Sequence, residues 1–366
     1  MRIGLVVPGF SADPTDWCIP ALRHLVTRLS ETDDVLVVAV RYPYRVDRYA
    51  IGRVQVVAVG GGQRRGASTL DVWRRTLGYL ASEHRRRPFD VLHAFWATES
   101  GFLTALAGPA LRVPTIVSLA GGELVGLADI GYGDQLARAQ RLKVRTSLRL
   151  ARMVTAGSRY QLRLARRYVR RIYLAPLGVD TQLFQPGPPV GGEPHIVHVG
   201  ALTPVKDQAT LLHTFAELRR RLPGARLDIV GDGPLRQELR HLATRLGIAE
   251  ATHFRGEVAH DALPAVYQAA TVFALSSRHE AQGMVALEAA ACGRPVVGTH
   301  VGVLPDLAPT APVGDAQALA DGLVTVCGDP RRAADLGCAT RQLVEAEYSL
   351  DASAARFRAL YADLSG

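Results

Sequence analysis

The sequence predicts an α/β protein built from two consecutive doubly wound units, each a parallel sheet covered by helices on both faces. Its 366 residues exceed what one hydrophobic core usually serves and suit two domains. Short apolar runs alternate with amphipathic stretches, as expected of buried parallel strands joined by helices. A segment rich in Pro and Gly with a single charge, residues 181–194, divides this series in two.

The first half alternates strand and helix patterns. Its predicted strands are Ile3–Val7, Val35–Val40, Val54–Val59, Val91–Phe95, Thr115–Leu119 and Met153–Ala156. Its predicted helices lie near 19–30, 69–86, 99–107, 134–150 and 159–170.

The second half repeats the alternation. Its predicted strands are His195–Val199, Arg226–Val230, Thr252–Arg255, Val272–Leu275 and Pro295–Thr299. Its predicted helices are 207–222, 234–246, 261–269, 284–291, 315–345 and 351–363. Two such series imply two Rossmann-like domains facing a cleft. We expect a domain over 1–180, a linker over 181–194, a second domain over 195–350, and a C-terminal helix, 351–366, packing back towards the first domain.

Composition excludes several classes of protein. Hydrophobic residues make up 48% and charged residues 21%, which excludes disordered and collagen-like chains. Apolar runs stay short of the ~20 residues that a membrane-spanning helix needs. The stretch Met1–Gly9 resembles a strand rather than a signal peptide. The four cysteines have neither zinc nor redox spacing, so a reducing cytoplasm is expected.

Positive charge is concentrated in the first half. Residues 1–180 carry a net +13, whereas the remainder carries −4. Much of the excess lies in 138–171, where arginines at helical spacing alternate with apolar residues, a pattern that suits anionic lipid. A general preference for arginine over lysine explains the excess equally well, since the chain has only two lysines, Lys143 and Lys206. Because neither an aromatic platform nor a nucleic-acid motif accompanies the charge, nucleic acid is not an expected partner.

The stretch Ser276–Ala290 is the most informative for chemistry. It follows an apolar strand and opens a helix, where unpaired amides favour anions. Gly283 lets a ligand approach the backbone, and Glu280 and Glu288 lie eight residues apart. Carboxylates suit the hydroxyls of sugars and ribose. Alone, the two acids are better explained as surface acids near a helix start, where acids are favourable.

The neighbouring residues favour a specific family. Glu280 and Glu288, followed by Ala291–Thr299 (ACGRPVVGT), resemble the signature of retaining GT-B glycosyltransferases of glycosyltransferase family 4, the group 1 glycosyl transferases. The similarity extends to Val199–Asp207 (VGALTPVKD), Ile229–Pro234 (IVGDGP) and Phe254–Val258 (FRGEV), in the same order and spacing. Upstream, Tyr173–Phe184 resembles the family's approach to the linker, so the match covers residues 173–305.

The resemblance implies a role for each matching residue. Glu288 would bind the donor ribose, and Glu280 would contact the transferred sugar. Lys206 would neutralise the leaving diphosphate, and Gly283, Met284 and Val285 would offer backbone amides to the sugar and diphosphate. Val258 would line the base pocket through its backbone. Lys206 and Glu280 are therefore the expected catalytic residues. The turn Asp232–Pro234 is expected to be structural.

The sequence also departs from the family pattern. Ala201 stands where the family often has an arginine beside the diphosphate, and Ala120 where it commonly has a histidine. The loop after the first strand begins with Gly9 and Phe10, expected donor contacts, but lacks the paired glycines. On the acceptor side, His93 and Glu123 are candidate groups.

The resemblance implies transfer of a sugar from a nucleoside-diphosphate sugar, with UDP- and GDP-sugars as the leading donors, to a hydroxyl of a bacterial polysaccharide, glycolipid or small molecule. It implies retention of configuration, no metal and no cofactor besides the nucleotide-sugar co-substrate. The acceptor is expected to carry phosphate or belong to a membrane, with segment 138–171 touching the inner face of the cell membrane. The alternative is a degenerate GT-B protein that binds a nucleotide sugar or a partner enzyme without transfer, which Ala201, Ala120 and the altered first loop favour. A phosphorylase or a sugar-nucleotide epimerase on the same architecture is a third option.

Overall fold

The computed structural model describes residues 1–62, 67–188 and 190–365. The chain divides into two units, the first comprising Met1–Gly178 with Leu350–Gly366 and the second comprising Val179–Ser349. Each unit is built on one sheet, and the predicted α/β class with two doubly wound, Rossmann-type units is confirmed.

An eight-stranded sheet forms the first unit. Its strands are β1 Arg2–Gly9, β2 Asp34–Tyr42, β3 Asp47–Ile51, β4 Val54–Ala58, β5 Val91–Phe95, β6 Thr115–Leu119, β7 Met153–Ala156 and β8 Tyr173–Leu174. They follow the order β3-β4-β2-β1-β5-β6-β7-β8, and all pair in parallel except β3 with β4. The sequence did not predict β3 and β8, because a five-residue and a two-residue edge strand leave little apolar pattern.

Helices cover both faces of this sheet. They are α1 Pro20–Leu29, α2 Ala67–Arg86, α3 Glu99–Leu111, α4 Arg138–Leu150, α5 Arg159–Ala165 and α13 Leu350–Ser365. Along β1, Ile3, Leu5 and Val7 enter the core beneath α1 and α13, while Val6 enters the core beneath α2, α3 and α4. This alternation follows from the period of two in a strand.

The end of α5 corrects the sequence prediction. The helix predicted over 159–170 stops at Ala165, and the amides of Tyr168 and Val169 turn back to the Ala165 carbonyl. Leu164 and Val169 pack against the core rather than alternating with arginines on a surface. Similarly, α4 starts at Arg138 because Asp134–Leu136 forms a 3-10 turn.

A buried polar network joins α13 to the centre of the first sheet. His93 lies on β5 with Nδ1 2.8 Å from the Tyr361 hydroxyl and Nε2 2.7 Å from Ser118 Oγ. Ser118 Oγ in turn lies 2.5 Å from Thr155 Oγ1. Burial lowers the pKa of His93 to about 3. The imidazole is therefore held neutral in the folded protein.

We expect acid to destabilise the first unit through His93. The unfolded chain binds a proton near the ordinary pKa of 6.5, whereas the folded protein does so only near 3, so stability falls as the pH drops through this window. One such group contributes a slope of up to about 1.4 kcal/mol per pH unit. Urea unfolding between pH 7 and 4, followed by tryptophan emission, measures how the free energy of unfolding changes with pH. The emission reports on this unit because Trp17, Trp73 and Trp96 all lie in it. His93→Gln should flatten the slope, and an unchanged slope would contradict this account.

The second unit contains a six-stranded, all-parallel sheet. Its strands are β9 His195–Val199, β10 Arg226–Val230, β11 Thr252–Gly256, β12 Val272–Leu275, β13 Val296–Thr299 and β14 Thr310–Ala311. They follow the order β11-β10-β9-β12-β13-β14. The two-residue edge strand β14 was not predicted.

Helices again cover both faces. They are α6 Gln208–Arg221, α7 Arg236–Arg245, α8 Leu263–Gln268, α9 Met284–Ala291, α10 Leu304–Leu307, α11 Ala316–Cys327 and α12 Pro330–Leu343, with a π-helical turn at Val344–Tyr348. The single helix predicted over 315–345 is wrong. Asp329 accepts hydrogen bonds from the amides of Arg331 and Arg332 and starts a new helix at Pro330.

The segment predicted as a linker, 181–194, is bound to the second unit; its Pro189 lies outside the described residues. Arg341 donates to the carbonyls of Thr181 and Phe184, Gln268 to that of Gln185, and Arg294 to that of Pro188. These side chains satisfy carbonyls that a proline-rich chain cannot pair in a ladder. Within the described part of the chain, no helix has the length and apolar character to span a membrane.

Candidate active site

The residues predicted to carry chemistry gather at one edge of the second sheet. In this sheet β9 is followed by β10 on one side, while β12 lies on its other side. The crevice outside the carboxyl ends of β9 and β12 is therefore the topological switch point, where ligands bind in open α/β sheets. Lys206 follows β9, and the loop from Ser276 to Gly283 follows β12.

Lys206 and Glu280 come into direct contact there. Lys206 Nζ donates to Glu280 Oε1 at 2.5 Å, and Ser277 Oγ donates to the same oxygen at 2.7 Å. The side chains are 21% and 12% exposed, so both remain accessible to a ligand. Backbone contacts fix the two loops, because Arg278 N donates to Val205 O and Ser276 Oγ to Lys206 O.

The environment keeps Glu280 ionised. Burial by itself would raise the pKa of this carboxyl, but the charge of Lys206 and the hydrogen bonds from Lys206 and Ser277 outweigh burial and hold the pKa below its ordinary value. The site therefore presents an ammonium and a carboxylate side by side. The first suits phosphate oxygens and the second suits hydroxyl donors.

A neutral histidine lies behind this pair. His198 on β9 is buried, with Nδ1 3.0 Å from the Ala274 carbonyl, and Gln208 Nε2 lies 3.3 Å from its Nε2. Burial, and to a smaller extent the charge of Lys206, lower the pKa of His198 to about 4. The uncharged ring therefore adds no positive charge behind the ammonium of Lys206.

Helix α9 begins at the same place. Gly283 precedes it with φ of 89°, a left-handed conformation that favours glycine. The first amides of the helix, including those of Met284 and Val285, have no carbonyl within the helix to donate to. The Gly283 backbone is open, since an added Cβ would have no neighbour closer than 3.7 Å.

Glu288 faces a different loop from Glu280. Its carboxylate is buried on α9, where Oε2 accepts from the Tyr267 hydroxyl at 2.8 Å and Oε1 lies 3.6 Å from His260 Nε2. Phe184 packs edge-on against the His260 ring. Glu280 therefore lies before the start of α9, beside Lys206. Glu288 lies on α9 itself, beside the connection between β11 and α8.

Val258 lies on that same connection, partly buried against the core of the second unit. It follows Gly256, whose φ is 75° and whose carbonyl accepts from Gly231 N. In the turn at Asp232, Oδ1 accepts from Gly233 N and Oδ2 from Arg236 Nη1, and the Asp232 carbonyl accepts from Leu202 N in the loop after β9. The structural role predicted for this turn fits these contacts.

Two predicted donor contacts lie in the first unit, and the structure corrects one of them. Phe10 is buried in the core of that unit, and its amide donates to the Tyr42 carbonyl. Neither its side chain nor its amide is available to phosphates. Gly9 is tightly enclosed too, since an added Cβ would lie 3.2 Å from Tyr42 Cβ and 3.3 Å from Cys18 Sγ.

The two acceptor-side candidates also have structural roles. Both ring nitrogens of His93 are bonded within the core, as described above, so no face of it meets an acceptor. Glu123 is fully buried and accepts from the amides of Ala97, Ala120 and Gly121. A strand-end position predicts nearness to the ligand edge but not the direction of the side chain.

Ser277, Tyr267 and His198 were not predicted from the sequence. Ser277 and Tyr267 donate to Glu280 and Glu288, and His198 is buried behind the Lys206–Glu280 pair. A serine three residues before Glu280 was a usable signal for Ser277, since short hydroxyl side chains bond within such turns. Tyr267 gave no signal, because it lies on another helix. Among the described residues, no group of three or more His, Cys, Asp or Glu side chains is arranged to bind a metal ion.

Two family models match consecutive parts of the chain. Residues 19–178 match the glycosyl transferase 4-like domain, and residues 179–343 match the glycosyl transferases group 1. Together they span residues 19–343, which include all the residues of the crevice described above.

Known proteins are similar over most of the chain. A GDP-mannose-dependent alpha-(1-6)-phosphatidylinositol monomannoside mannosyltransferase of Mycobacterium tuberculosis is 30% identical, over 85% of this chain and 90% of that protein. A D-inositol 3-phosphate glycosyltransferase of Acidothermus cellulolyticus is 32% identical, over 70% of this chain and 61% of that protein.

Solved structures share the fold. Sucrose-phosphate synthase of Thermosynechococcus elongatus superposes with a TM-score of 0.79 at 22% identity, covering 100% of this chain and 99% of that one. Anabaena HepE in complex with UDP-glucose gives 0.75 at 19% identity, covering 99% and 100%.

Proposed function

The chain belongs to the family of group 1 glycosyl transferases, and on that premise we propose that it moves a hexosyl unit from a nucleoside-diphosphate sugar to an acceptor hydroxyl with retention of configuration. Its use of a nucleotide sugar follows from the family. The contact between Lys206 and Glu280 beside the start of α9 supports the proposal most directly, since it sets a cation for a diphosphate next to an acceptor of sugar hydroxyl bonds.

The proposed step needs no nucleophile from the protein. The acceptor oxygen forms a bond to the anomeric carbon as the bond from that carbon to the diphosphate breaks on the same face. A diphosphate oxygen takes the hydroxyl proton. Lys206 and the amides of Met284 and Val285 would stabilise the charge that grows on the leaving group, a large term in such reactions. In this proposal they take the place of a metal ion.

Glu280 and Glu288 would bind opposite ends of the donor. Glu280, beside Lys206, would accept from hydroxyls of the transferred sugar. Glu288, beside the connection that carries Val258, would accept from the ribose. The mannosyltransferase relative makes GDP-mannose the first donor to test, and the UDP-glucose complex of HepE makes UDP-glucose the second. An inositol-bearing phospholipid is the first acceptor to test, on the same relative's name.

The function is tested by looking for both products of one reaction. The protein is incubated with each donor and with phosphatidylinositol vesicles or D-inositol 3-phosphate. Free nucleoside diphosphate and a glycosylated acceptor should appear together and in equal amounts. Donor binding without either product would favour the alternative of a degenerate GT-B protein that binds a nucleotide sugar without transfer. Ala201, in the position where the family often has an arginine, favours that alternative.

We also propose that segment 138–171 contacts an anionic membrane. On α4 the exposed Arg138, Leu142, Arg145 and Arg149 fall on one stripe at spacings of four, three and four, and Leu142 is 67% exposed. Arginines around an exposed leucine suit lipid headgroups above acyl chains. This places the protein at the inner face of the cell membrane in our proposal.

Charge reversal on this stripe should weaken vesicle binding. We expect the double variant Arg145→Glu/Arg149→Glu to bind phosphatidylglycerol vesicles at least tenfold less, because each basic residue near such a surface contributes about 1 kcal/mol. Flotation of the vesicles at low and high salt measures the fraction of protein bound. The matched control reverses Arg240 and Arg245, two exposed arginines on α7 of the second unit. Equal loss in both double variants would contradict a specific lipid-facing stripe.

A further inference from the structure

The sheet of the first unit also has a topological switch point. In its sheet β1 is followed by β2 on one side, while β5 lies on its other side. Ligands are therefore expected outside the carboxyl ends of β1 and β5. The first residue beyond β5 is Trp96.

Trp96 has a backbone conformation that a large side chain rarely adopts. Its φ is 65°, and among the described residues only Arg112 and Asp207 share a positive φ without being glycine. Such outliers persist only where the surroundings enforce them, and they cluster at functional sites.

Several groups hold Trp96 in this conformation. Its amide donates to the Ser118 carbonyl, and its own carbonyl accepts from Gly101 N, both at 2.9 Å. An added Cβ on Gly101 would lie 2.9 Å from that carbonyl, so only glycine fits. The buried Glu123 carboxylate binds the amide of Ala97, next in the chain, together with those of Ala120 and Gly121 on the facing loop.

The same loop carries two adjacent glycines that let aromatic rings approach its backbone closely. An added Cβ on Gly121 would lie 2.8 Å from Trp96 Nε1, and one on Gly122 would lie 3.0 Å from the Tyr132 ring. Two adjacent glycines thus each have an aromatic ring against them. Trp96 itself is partly exposed, and the rest of its side chain packs against the core beneath α1 and α13.

We propose that Trp96 binds the polyhydroxylated six-membered ring of the acceptor, and that Glu123 is the positioning residue that holds Trp96 in place. The indole face would stack on the apolar face of the ring, and Nε1–H would donate to one of its oxygens. This inference rests on the proposed function, because it assigns the acceptor to the first unit.

Tryptophan emission tests the proposal without requiring turnover. The variant Trp17→Phe/Trp73→Phe leaves Trp96 as the sole indole, and it is titrated with myo-inositol, D-inositol 3-phosphate and mannose, with GDP or UDP present. We expect a saturable change in emission with at least one of these rings. In transfer assays, Trp96→Phe should raise the acceptor KM about tenfold with little change in the donor KM, while Trp73→Phe should leave both unchanged.

Two further variants separate recognition from folding. Trp96→Gly suits the positive φ and should stay folded, as urea unfolding would show, yet lose the acceptor. Glu123→Gln, which disturbs three amide contacts, should raise the acceptor KM and shift Trp96 emission in the absence of ligand. The proposal would be overturned if the acceptor KM were unchanged in both Trp96→Phe and Trp96→Gly. It would also be overturned if none of the three ring compounds changed Trp96 emission in a protein that still binds nucleotide. A protein that binds no nucleotide sugar would instead overturn the proposed function.

Discussion

Lys206→Ala is expected to reduce glycosyl transfer at least a hundredfold. Removing one group that stabilises developing charge typically costs 10²–10³ in rate. Here the loss is not easily replaced, since Ala201 stands where the family often has an arginine and His198 behind the pair is held neutral. The same change removes the counter-ion of Glu280. Burial then acts unopposed by that charge, so the pKa of Glu280 should rise.

The measurement is kcat with the preferred donor, together with the affinity for free nucleoside diphosphate. Lys143→Ala is the matched control, because Lys143 is the chain's other lysine and lies in the first unit on α4. Lys206→Arg should recover part of the rate, since it restores the charge but not the geometry towards Glu280. A Lys206→Ala protein with near-normal kcat would show that the leaving group is stabilised elsewhere.

Glu288→Gln is expected to weaken donor binding by roughly ten- to a hundredfold. A hydrogen bond to a charged group contributes about 1.5–3 kcal/mol, and the amide loses the charge while keeping the shape. The side-chain oxygen can still accept from the Tyr267 hydroxyl, so the fold should survive. Calorimetric titration with the nucleoside diphosphate measures the loss.

The 2′-deoxy nucleotide makes this test specific. If Glu288 binds the ribose hydroxyls, the wild type should prefer the ribonucleotide, and Glu288→Gln should lose much of that preference. Tyr267→Phe leaves the carboxylate charged but removes its 2.8 Å hydrogen bond, so we expect a smaller loss of the same kind. A preference for ribose that persists unchanged in Glu288→Gln would place the ribose elsewhere.

Sequence patterns located strands better than they located helix ends. The predicted bounds of β5, β6, β7, β9, β10 and β12 match the structure, because buried parallel strands are continuous apolar runs between polar residues. Helix bounds depended on local caps. The break between two helices at Asp329 and Pro330 could have been predicted, because Asp followed by Pro is a capping signal. The end of α5 at Ala165 could not, because it depends on the chain turning into β8.

Which residues meet at the site was only partly predictable. The spacing around Glu280 and Glu288 located one loop and one helix, but the contact with Lys206 joins residues 74 apart and emerges only from the sheet order. His93 and Phe10 were placed near a ligand by their resemblance to family positions that lie at strand ends, yet both side chains turn into the core. The unusual backbone conformation of Trp96 could not be predicted from the sequence, because Gly101, Ser118 and Glu123 impose it together.

The central claim is that the crevice at β9 and β12 binds a nucleoside-diphosphate sugar through Lys206 and Glu288. The most direct test is thermal stabilisation and slow hydrolysis across UDP-, GDP-, ADP- and dTDP-sugars, in the wild type, Lys206→Ala and Glu288→Ala. We predict that one donor stabilises and is slowly hydrolysed by the wild type, and that both variants lose both effects. Stabilisation by no donor, or equal stabilisation of all three proteins, would contradict the account.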